Sequence, residues 1–387
     1  MLPALYVVLP AGVDDPAAPS GGNTYDRRVC AGLADAGWTV HELTVGGRWP
    51  MPDEAGLAAL AEALRGIPDG ALVLLDGLVA CGVPELVEPA ADRLRVVVLV
   101  HLPLADETGL TPAEAAALDA LERRTLHAAV AVAATSDWAA RRLITRHRLP
   151  AERVHVAAPG VRPAPVTAGT ADGGRLLVVA AVTPRKGHDV LIEALARVAD
   201  LPWSCVCVGA LDRAPQHLSS LRAAAERHAI AGRVTFAGPR TGTDLERSFA
   251  DADLLVLASR AETYGMVITE ALAHGVPVLA TAVGGVPEAL GHAPGAGQAG
   301  AEPAGPGQVG AGQGGGGPAG AGWAGGERPG LLVPPDDPAA LAAALRRWLT
   351  APHERQRLRA AALARRAALP DWDATVRDLA TILEGVR

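Results

Sequence analysis

The stretch Ala258-Ser-Arg-Ala-Glu-Thr-Tyr-Gly-Met-Val-Ile-Thr-Glu270 decides the fold of this chain. It follows Asp253-Leu-Leu-Val-Leu257, whose apolar run is typical of a buried parallel strand. Gly265 breaks this pattern, and apolar residues then recur at helical spacing from Met266 to Ala273. The sequence therefore predicts a parallel strand, a turn and a helix, in this order.

Two glutamates, Glu262 and Glu270, lie in this stretch with seven residues between them. Glu262 falls in the predicted turn, and Glu270 falls about one turn inside the helix. Backbone N–H groups at a helix start suit an anion, and carboxylates are strong acceptors for sugar hydroxyls. The pattern indicates a site for an anionic sugar ligand, and the plain alternative is two surface glutamates beside a core helix.

Together with Ser259, Gly275-Val-Pro277 and Gly284-Gly285, these residues resemble the C-terminal half of family four glycosyltransferases. The resemblance implies a GT-B fold, in which two Rossmann-like domains face each other across a cleft. It implies hexosyl transfer from a nucleotide-diphosphate sugar with retention of configuration. Glu262 would contact the sugar and its developing charge, and Glu270 the ribose. The helix start at Gly265, Met266 and Val267 would bind the donor.

Composition limits the class of protein. A chain of 387 residues is long enough for two domains, and 49% hydrophobic residues supply their cores. A net charge of −7 without a long basic run argues against a nucleic-acid-binding protein. We expect a nucleotide-sugar donor and an unidentified acceptor as partners, and the oligomeric state stays open.

The cysteines and the N-terminus indicate a cytoplasmic protein. Cys30, Cys81, Cys205 and Cys207 show no pattern of metal ligands, and we expect them to be reduced. The chain passes from Met1 directly into a predicted strand, without the features of a signal peptide. It contains no apolar run of the roughly 18 residues that a membrane span needs.

Short apolar runs alternate with helical patterns, which predicts parallel, doubly wound sheets of an α/β fold. In the first half we predict strands near 4–9, 38–45, 71–76, 95–100, 129–133 and 153–157, and helices near 23–36, 53–65, 111–127 and 136–147. In the second half we predict strands near 176–182, 204–209, 233–237, 253–258, 277–280 and 330–333, and helices near 189–199, 217–229, 243–250, 266–274 and 338–349.

The predicted domains are an acceptor-side domain at 1–165 and a donor-binding domain at 166–368. The resemblance implies that a last helix, 369–387, packs back on the first domain. Residues 158–174 are rich in Pro and Gly and predict an interdomain linker and hinge. Residues 291–329 have almost no apolar bulk and predict a disordered insertion.

Three features lie where predicted strands of the first domain end, the edge at which ligands bind in such sheets. Gly21, Gly22 and Asn23 open a helix and resemble the first glycine-rich loop of the family, which approaches the donor diphosphate. His101 resembles the active-site histidine that contacts the donor sugar. Asp76 and Thr135 are candidates for binding the acceptor. Asp76, Thr135 and the neighbouring Ser136 are equally consistent with helix caps.

The turn Thr183-Pro-Arg-Lys-Gly187 follows the first strand of the second domain and resembles the basic phosphate clamp of the family. Two cations, Arg185 and Lys186, precede a helix start here, which suits a diphosphate. Many family members carry Gly-Arg where this chain has Ala180 and Ala181. One guanidinium is therefore missing, and either Arg185 serves in its place or the diphosphate is held more weakly.

The cations would replace a catalytic metal, because no Asp-x-Asp motif is placed to hold one. We therefore predict no cofactor and no metal. Relatives that glycosylate lipids use a basic surface in the first domain, so a peripheral membrane contact is one interpretation of the helix near 136–147, and a solvated helix face is the other. Its basic and aromatic residues are Trp138, Arg141, Arg142, Arg146 and Arg148.

Two other functions fit a sugar-nucleotide fold. An epimerase would need its own acid and base carboxylates in the first domain, and the sequence shows no clear set. A non-catalytic sugar-nucleotide-binding protein would need Arg185, Lys186 and Glu270 but not His101. Release of nucleoside diphosphate with and without acceptors distinguishes these functions from transfer.

Overall fold

The computed structural model describes residues 4–17, 19–107, 109–294 and 327–387. The chain forms two compact units. The first contains the residues up to Gly160 together with Ala261–Tyr264 and Pro370–Arg387, and the second contains Val161–Arg260 and Gly265–Leu369. The short segment 261–264 thus belongs to the first unit, although the residues on both sides of it belong to the second.

The first unit is built on a parallel six-stranded sheet in the order β2-β1-β3-β4-β5-β6. Its strands are β1 (Ala4–Pro10), β2 (Thr39–Val45), β3 (Leu72–Asp76), β4 (Arg95–Val100), β5 (Ala131–Ala134) and β6 (Val154–Val156). Its helices are α1 (Gly21–Asp35), α2 (Glu54–Gly66), α3 (Gly77–Ala80), α4 (Pro84–Ala91), α5 (Pro112–Ala128), α6 (Asp137–His147) and the C-terminal α14 (Trp372–Gly385). The strand order reverses between β1 and β3.

The second unit has a parallel six-stranded sheet in the order β12-β11-β10-β7-β8-β9. Its strands are β7 (Arg175–Val179), β8 (Ser204–Val208), β9 (Val234–Gly238), β10 (Leu254–Leu257), β11 (Val278–Thr281) and β12 (Gly330–Val333). Its helices are α7 (His188–Ala196), α8 (Pro215–Arg227), α9 (Gly242–Ala250), α10 (Met266–Ala273), α11 (Val286–Leu290), α12 (Pro338–Thr350) and α13 (Pro352–Arg366). Here the order reverses between β7 and β10.

The predicted pair of doubly wound α/β sheets is confirmed. Every residue of β3, β5, β10 and β11 is buried, because helices cover both faces of a parallel sheet. Short helices α3, α4 and α11 are not among the predicted elements. They have between four and eight residues, too few for a helical period to stand out.

The predicted linker at 158–174 is wrong in its extent. Thr167 donates its backbone N–H to the carbonyl of His274 at 2.9 Å, and Arg355 donates to the carbonyl of Ala171 at 2.9 Å. These contacts fasten the later part of the segment to the second unit, and the change of unit falls at Gly160. The Pro and Gly content indicated that this segment lacks helices and strands, but a segment without them can still make tertiary contacts.

The core of the predicted insertion, residues 295–326, lies outside the described residues. Its described ends are close together, because Ala293 donates its backbone N–H to the carbonyl of Glu327 at 2.8 Å. Pro329 accepts a backbone hydrogen bond from Val278, directly before β12. The insertion therefore starts and finishes at one place on the second unit.

The C-terminal helix α14 packs on the first unit. Val376 and Leu379 are buried in an apolar cluster with residues of α1 and β5, and a Cβ on Gly32 of α1 would come within 2.4 Å of Val376. Thr375 Oγ1 donates to the carbonyl of Ala158 at 2.8 Å. All four cysteines are buried and free. In the described ranges, no helix combines the length and apolar character that crossing a bilayer requires.

Candidate active site

The carboxyl ends of β3 and β4 present two predicted site residues beside each other. Asp76 is the last residue of β3, and His101 directly follows β4, which pairs with β3 in register. This edge adjoins the point between β1 and β3 where the strand order reverses. Crevices at such points are the usual ligand sites of doubly wound sheets. Asp76 is also the N-cap of α3, since its Oδ1 accepts from Leu78 N at 2.7 Å.

A buried aspartate that the sequence did not single out joins these two residues. Asp26, on α1, is 2% exposed, and its Oδ1 lies 2.8 Å from His101 Nε2. Burial alone would lower the pKa of His101, but the charge and hydrogen bond of Asp26 outweigh it and raise the pKa to about 9. Burial, followed by the charge of Asp26, raises the pKa of Asp76 to about 7. At neutral pH the cluster therefore contains an imidazolium and a carboxyl group that readily exchanges a proton.

The start of α1 holds the imidazole of His101 from another side. The helix begins at Gly21, two residues earlier than predicted, because Ser20 caps it by accepting from Asn23 N at 3.0 Å. A Cβ on Gly22 would lie 3.2 Å from His101 Cδ2, so a larger residue here would press on the imidazole ring. Both glycines are thus inside the first turn of the helix and not in a loop before it.

The segment that carries Glu262 is fastened to the same edge of the first unit. Thr263 Oγ1 donates to the carbonyl of His101 at 2.6 Å, and Ser136 Oγ donates to the carbonyl of Thr263 at 2.6 Å. Ser136 is also the N-cap of α6. Thr135 is 4% exposed, and Glu262 is 7% exposed. The structure thus brings Glu262 into the unit that contains His101, from a position about 160 residues away in the chain.

The basic turn of the second unit lies where its strand order reverses. Pro184–Lys186 forms one turn of 3-10 helix after β7, and α7 begins directly behind it at His188. Gly187, with a φ of 66°, joins the two helical segments in a left-handed conformation that favours glycine. Arg185 and Lys186 therefore stand before a helix N-terminus, an arrangement that attracts phosphate.

The start of α10 lies beside this turn in the sheet, because β10 is the neighbour of β7. Gly265, with a φ of 93°, begins the helix, and no side chain in the described part of the chain caps it. The N–H groups of Met266 and Val267 thus face the carboxyl edge of the sheet as donors for an anion. One turn further, burial raises the pKa of Glu270 to about 7.

The two glutamates of the opening stretch belong to different compact units. Glu262 lies in the first and Glu270 in the second. Asp26 is the functional candidate that sequence reasoning missed. The sequence did contain a hint of this role, because Asp26 shares the buried face of α1 with the apolar residues Tyr25 and Val29. A carboxylate on such a face is rarely buried without a partner.

The basic helix α6 uses much of its charge within the protein. Arg142 pairs with Asp106 at 2.8 Å, and Arg146 pairs with Asp119. The guanidinium of Arg142 also stacks over Trp138 at 5.3 Å from the ring centroid. These ion pairs favour the interpretation of α6 as a solvated helix face. The peripheral membrane contact stays a prediction.

Among the residues that the structure describes, two clusters bring possible metal ligands within 4.8 Å of one another: Asp26 with Asp76 and His101, and Asp119 with Glu122 and His147. In the first, His101 Nε2 already bonds Asp26. In the second, Glu122 Oε2 lies 3.0 Å from His147 Nε2, and Arg146 neutralises Asp119. In each cluster a histidine nitrogen is thus already hydrogen-bonded to a carboxylate.

Comparison with known proteins agrees with this architecture. Residues 173–302 match the family model described as "Glycosyl transferases group 1". The chain is 33% identical over 177 residues to D-inositol 3-phosphate glycosyltransferase from Jonesia denitrificans, covering 41% of this chain and 42% of that protein. It is 34% identical over 159 residues to the enzyme of the same name from Mycobacterium leprae, over 37% of this chain and 36% of that protein. The chain thus matches about two-fifths of the length of these curated relatives.

Solved structures match over the whole chain at lower identity. Sucrose-phosphate synthase from Thermosynechococcus elongatus superimposes with a TM-score of 0.74, 21% identity and 99% coverage of both chains. HepE from Anabaena, in complex with UDP and glucose, gives a TM-score of 0.71 at 18% identity over 99% of this chain and 100% of its own. The chain therefore has the GT-B fold.

Proposed function

We propose that this chain is a retaining, metal-independent hexosyltransferase of family four, which moves a sugar from a nucleotide-diphosphate sugar to an acceptor. The observation that carries this proposal is the carboxyl edge of the second sheet. There Arg185 and Lys186 stand before α7, and the uncapped start of α10 follows the neighbouring strand, with Glu270 one turn inside. Two cations and two helix N-termini suit a diphosphate, and a carboxylate suits the ribose.

In the proposed reaction, the bond between the anomeric carbon and the phosphate oxygen breaks, and negative charge develops on the departing diphosphate. Arg185, Lys186 and the two helix starts stabilise that charge. Glu262 stabilises the positive sugar carbon, and the imidazolium of His101 donates to a sugar oxygen. The acceptor hydroxyl attacks from the face that the diphosphate leaves, and its proton passes to the departing phosphate oxygen, so configuration is retained.

A second candidate is a sugar-nucleotide epimerase. The sequence showed no acid and base carboxylates in the first unit, and this was the reason against that function. The observation that favours an epimerase is that Asp26 and Asp76 lie close to each other, and that burial and the charge of Asp26 raise the pKa of Asp76 to about 7. A carboxyl group that titrates near neutral pH is suited to proton transfer.

The deciding experiment incubates the protein with a panel of UDP-, GDP-, ADP- and dTDP-sugars, with and without acceptors. Inositol phosphate and UDP-glucose are the first probes, because one similar protein is a D-inositol 3-phosphate glycosyltransferase and another, HepE from Anabaena, has been solved in complex with UDP-glucose. Release of nucleoside diphosphate that requires an acceptor supports transfer. An isomerised sugar without acceptor supports the epimerase. Repeating the reaction with a chelator tests metal independence, and a loss of turnover would contradict it.

A further inference from the structure

Arg260 binds the basic turn of the second unit from the end of the neighbouring strand. It follows β10 by three positions, and its backbone N–H donates to the carbonyl of Arg185 at 2.8 Å. Its guanidinium donates to both carboxylate oxygens of Asp189, at 2.9 and 2.7 Å, and to the carbonyl of Pro184. These bonds cross the point where the strand order of the second sheet reverses.

All three guanidinium nitrogens of Arg260 are committed to the protein. Nη1 and Nη2 hold Asp189 and Pro184, and Nε donates to Asp336 at 2.6 Å. The two carboxylates also compensate its positive charge. These four bonds use four of its five N–H donors and leave one on Nη2, so Arg260 cannot offer a phosphate the two parallel donors of a free guanidinium.

The turn that Arg260 holds also packs tightly against the end of the neighbouring strand. A Cβ on Gly187 would lie 1.9 Å from the carbonyl oxygen of Ala258, so the turn packs directly on the end of β10. Burial alone would raise the pKa of Asp189, but the hydrogen bonds and charge of Arg260 outweigh it, and the pKa lies below its ordinary value. Asp189 is thus ionised at neutral pH and stays paired.

We propose that Arg260 is a positioning residue for diphosphate binding: through Asp189 and the carbonyls of Pro184 and Arg185, it fixes the turn that presents Arg185 and Lys186. This inference rests on the proposed function. It adds a residue that does not contact the donor but determines how tightly the donor diphosphate binds. Lysine cannot replace Arg260, because a single ammonium lacks the planar fork that holds a carboxylate at two points.

The negative charge of Asp189 and its proposed positioning role predict opposite effects of Asp189→Ala on diphosphate affinity. Simple electrostatics says that removing a carboxylate near an anion site tightens anion binding. If Arg260 positions the turn, Asp189→Ala instead weakens diphosphate binding, because Arg260 loses the group through which it holds α7 and the turn. The double variant Arg260→Ala/Asp189→Ala removes one charge of each sign, so electrostatics predicts affinity close to wild type, whereas positioning predicts affinity as weak as that of either single variant.

The test measures calorimetric affinity for UDP, GDP, ADP and dTDP and for the matching free nucleosides. We expect Arg260→Ala, Arg260→Lys, Asp189→Ala and the double variant each to lose roughly tenfold in diphosphate affinity, with nucleoside affinity unchanged. Arg247→Ala is the control, since it removes an exposed arginine of the same unit that pairs with Asp244. It should bind like wild type.

A second measurement needs no ligand. Hydrogen exchange of the amides at 183–189 should accelerate in Arg260→Ala and Asp189→Ala but not in Arg247→Ala, with equal melting temperatures for all. If wild type binds a diphosphate and the Asp189→Ala and double variants bind it equally well, the positioning role is overturned. If wild type binds none of the four diphosphates, the proposed function falls, and the role of Arg260 falls with it.

Discussion

Asp26 Oδ1 and His101 Nε2 lie 2.8 Å apart, although 75 positions separate the two residues in the chain. α1 delivers the carboxylate, and the end of β4 delivers the imidazole. The pairing keeps His101 protonated, and Gly22 and the edge of Tyr25 fix the plane of its ring. A histidine that is charged at neutral pH and held in this way is suited to donate a hydrogen bond of fixed direction.

The first prediction concerns this pair. In Asp26→Asn we expect the pKa of His101 to fall from about 9 toward its ordinary value of 6.5, because burial opposes the charged imidazole and only the charge of Asp76 still favours it. NMR of labelled histidine measures the pKa. Turnover at pH 8 should fall at least tenfold as the imidazolium is lost. Asp69→Asn is the control, since Asp69 is 82% exposed and pairs with Arg93.

The same pair makes stability depend on pH. Folded His101 keeps its proton up to about pH 9, whereas unfolded His101 loses it near 6.5, so the folded state binds more protons between these values. The contribution of the pair to stability is therefore complete below pH 6.5 and is lost as pH rises toward 9. Urea unfolding between pH 7.5 and 9.5 should show this loss in wild type and not in Asp26→Asn. If the free energy of unfolding changed equally with pH in wild type and in Asp26→Asn, the pairing of Asp26 with His101 would be contradicted.

The second prediction concerns Lys186→Ala. Removing one cation from the turn before α7 should weaken nucleoside diphosphate binding by about 1.5–3 kcal/mol, the range of a hydrogen bond to a charged group. Affinity for the free nucleoside should barely change. Titration calorimetry with both ligands measures this difference. Equal losses for nucleoside and diphosphate would rule out a phosphate contact at this position.

The third prediction separates Glu262 from Glu270. Glu270→Gln should lose affinity for the donor and for the free nucleoside diphosphate alike, because both carry the ribose. Glu262→Gln should bind the diphosphate normally but lose turnover by about 100-fold or more, as removal of a transition-state contact does. Near-normal turnover of Glu262→Gln with saturating donor and a confirmed acceptor would show that the catalytic assignment is wrong.

The fourth prediction concerns the insertion. Its described ends meet at the hydrogen bond between Ala293 and Glu327, so replacing 295–326 by a short Gly-containing turn should leave both ends in place. Loop length changes closure entropy by only about 0.6 kcal/mol per doubling, so we expect nearly unchanged unfolding and turnover. A Gly/Ser segment of the original length is the control. Loss of cooperative unfolding in the shortened variant would show that the insertion is structural.

The fold could be predicted from sequence because it depends on local patterns. Apolar runs such as Leu254–Leu257 and the helical spacing from Met266 to Ala273 are properties of neighbouring residues, and both elements form with those bounds or within one residue of them. The positions of His101, Asp76, Arg185 and Lys186 at strand ends follow from the same patterns, because parallel strands bring their carboxyl ends to one edge.

The features that the sequence alone did not show are contacts between residues that lie far apart in the chain. The contact of Asp26 with His101, the attachment of Thr263 to the carbonyl of His101 and the hold of Arg260 on the turn at Pro184 join residues between 75 and 162 positions apart. A helix period says which face of α1 is buried but not which side chain that face meets. Only the tertiary structure decides these partners, because a charged group can be buried only where the fold brings it a partner that offsets its lost hydration.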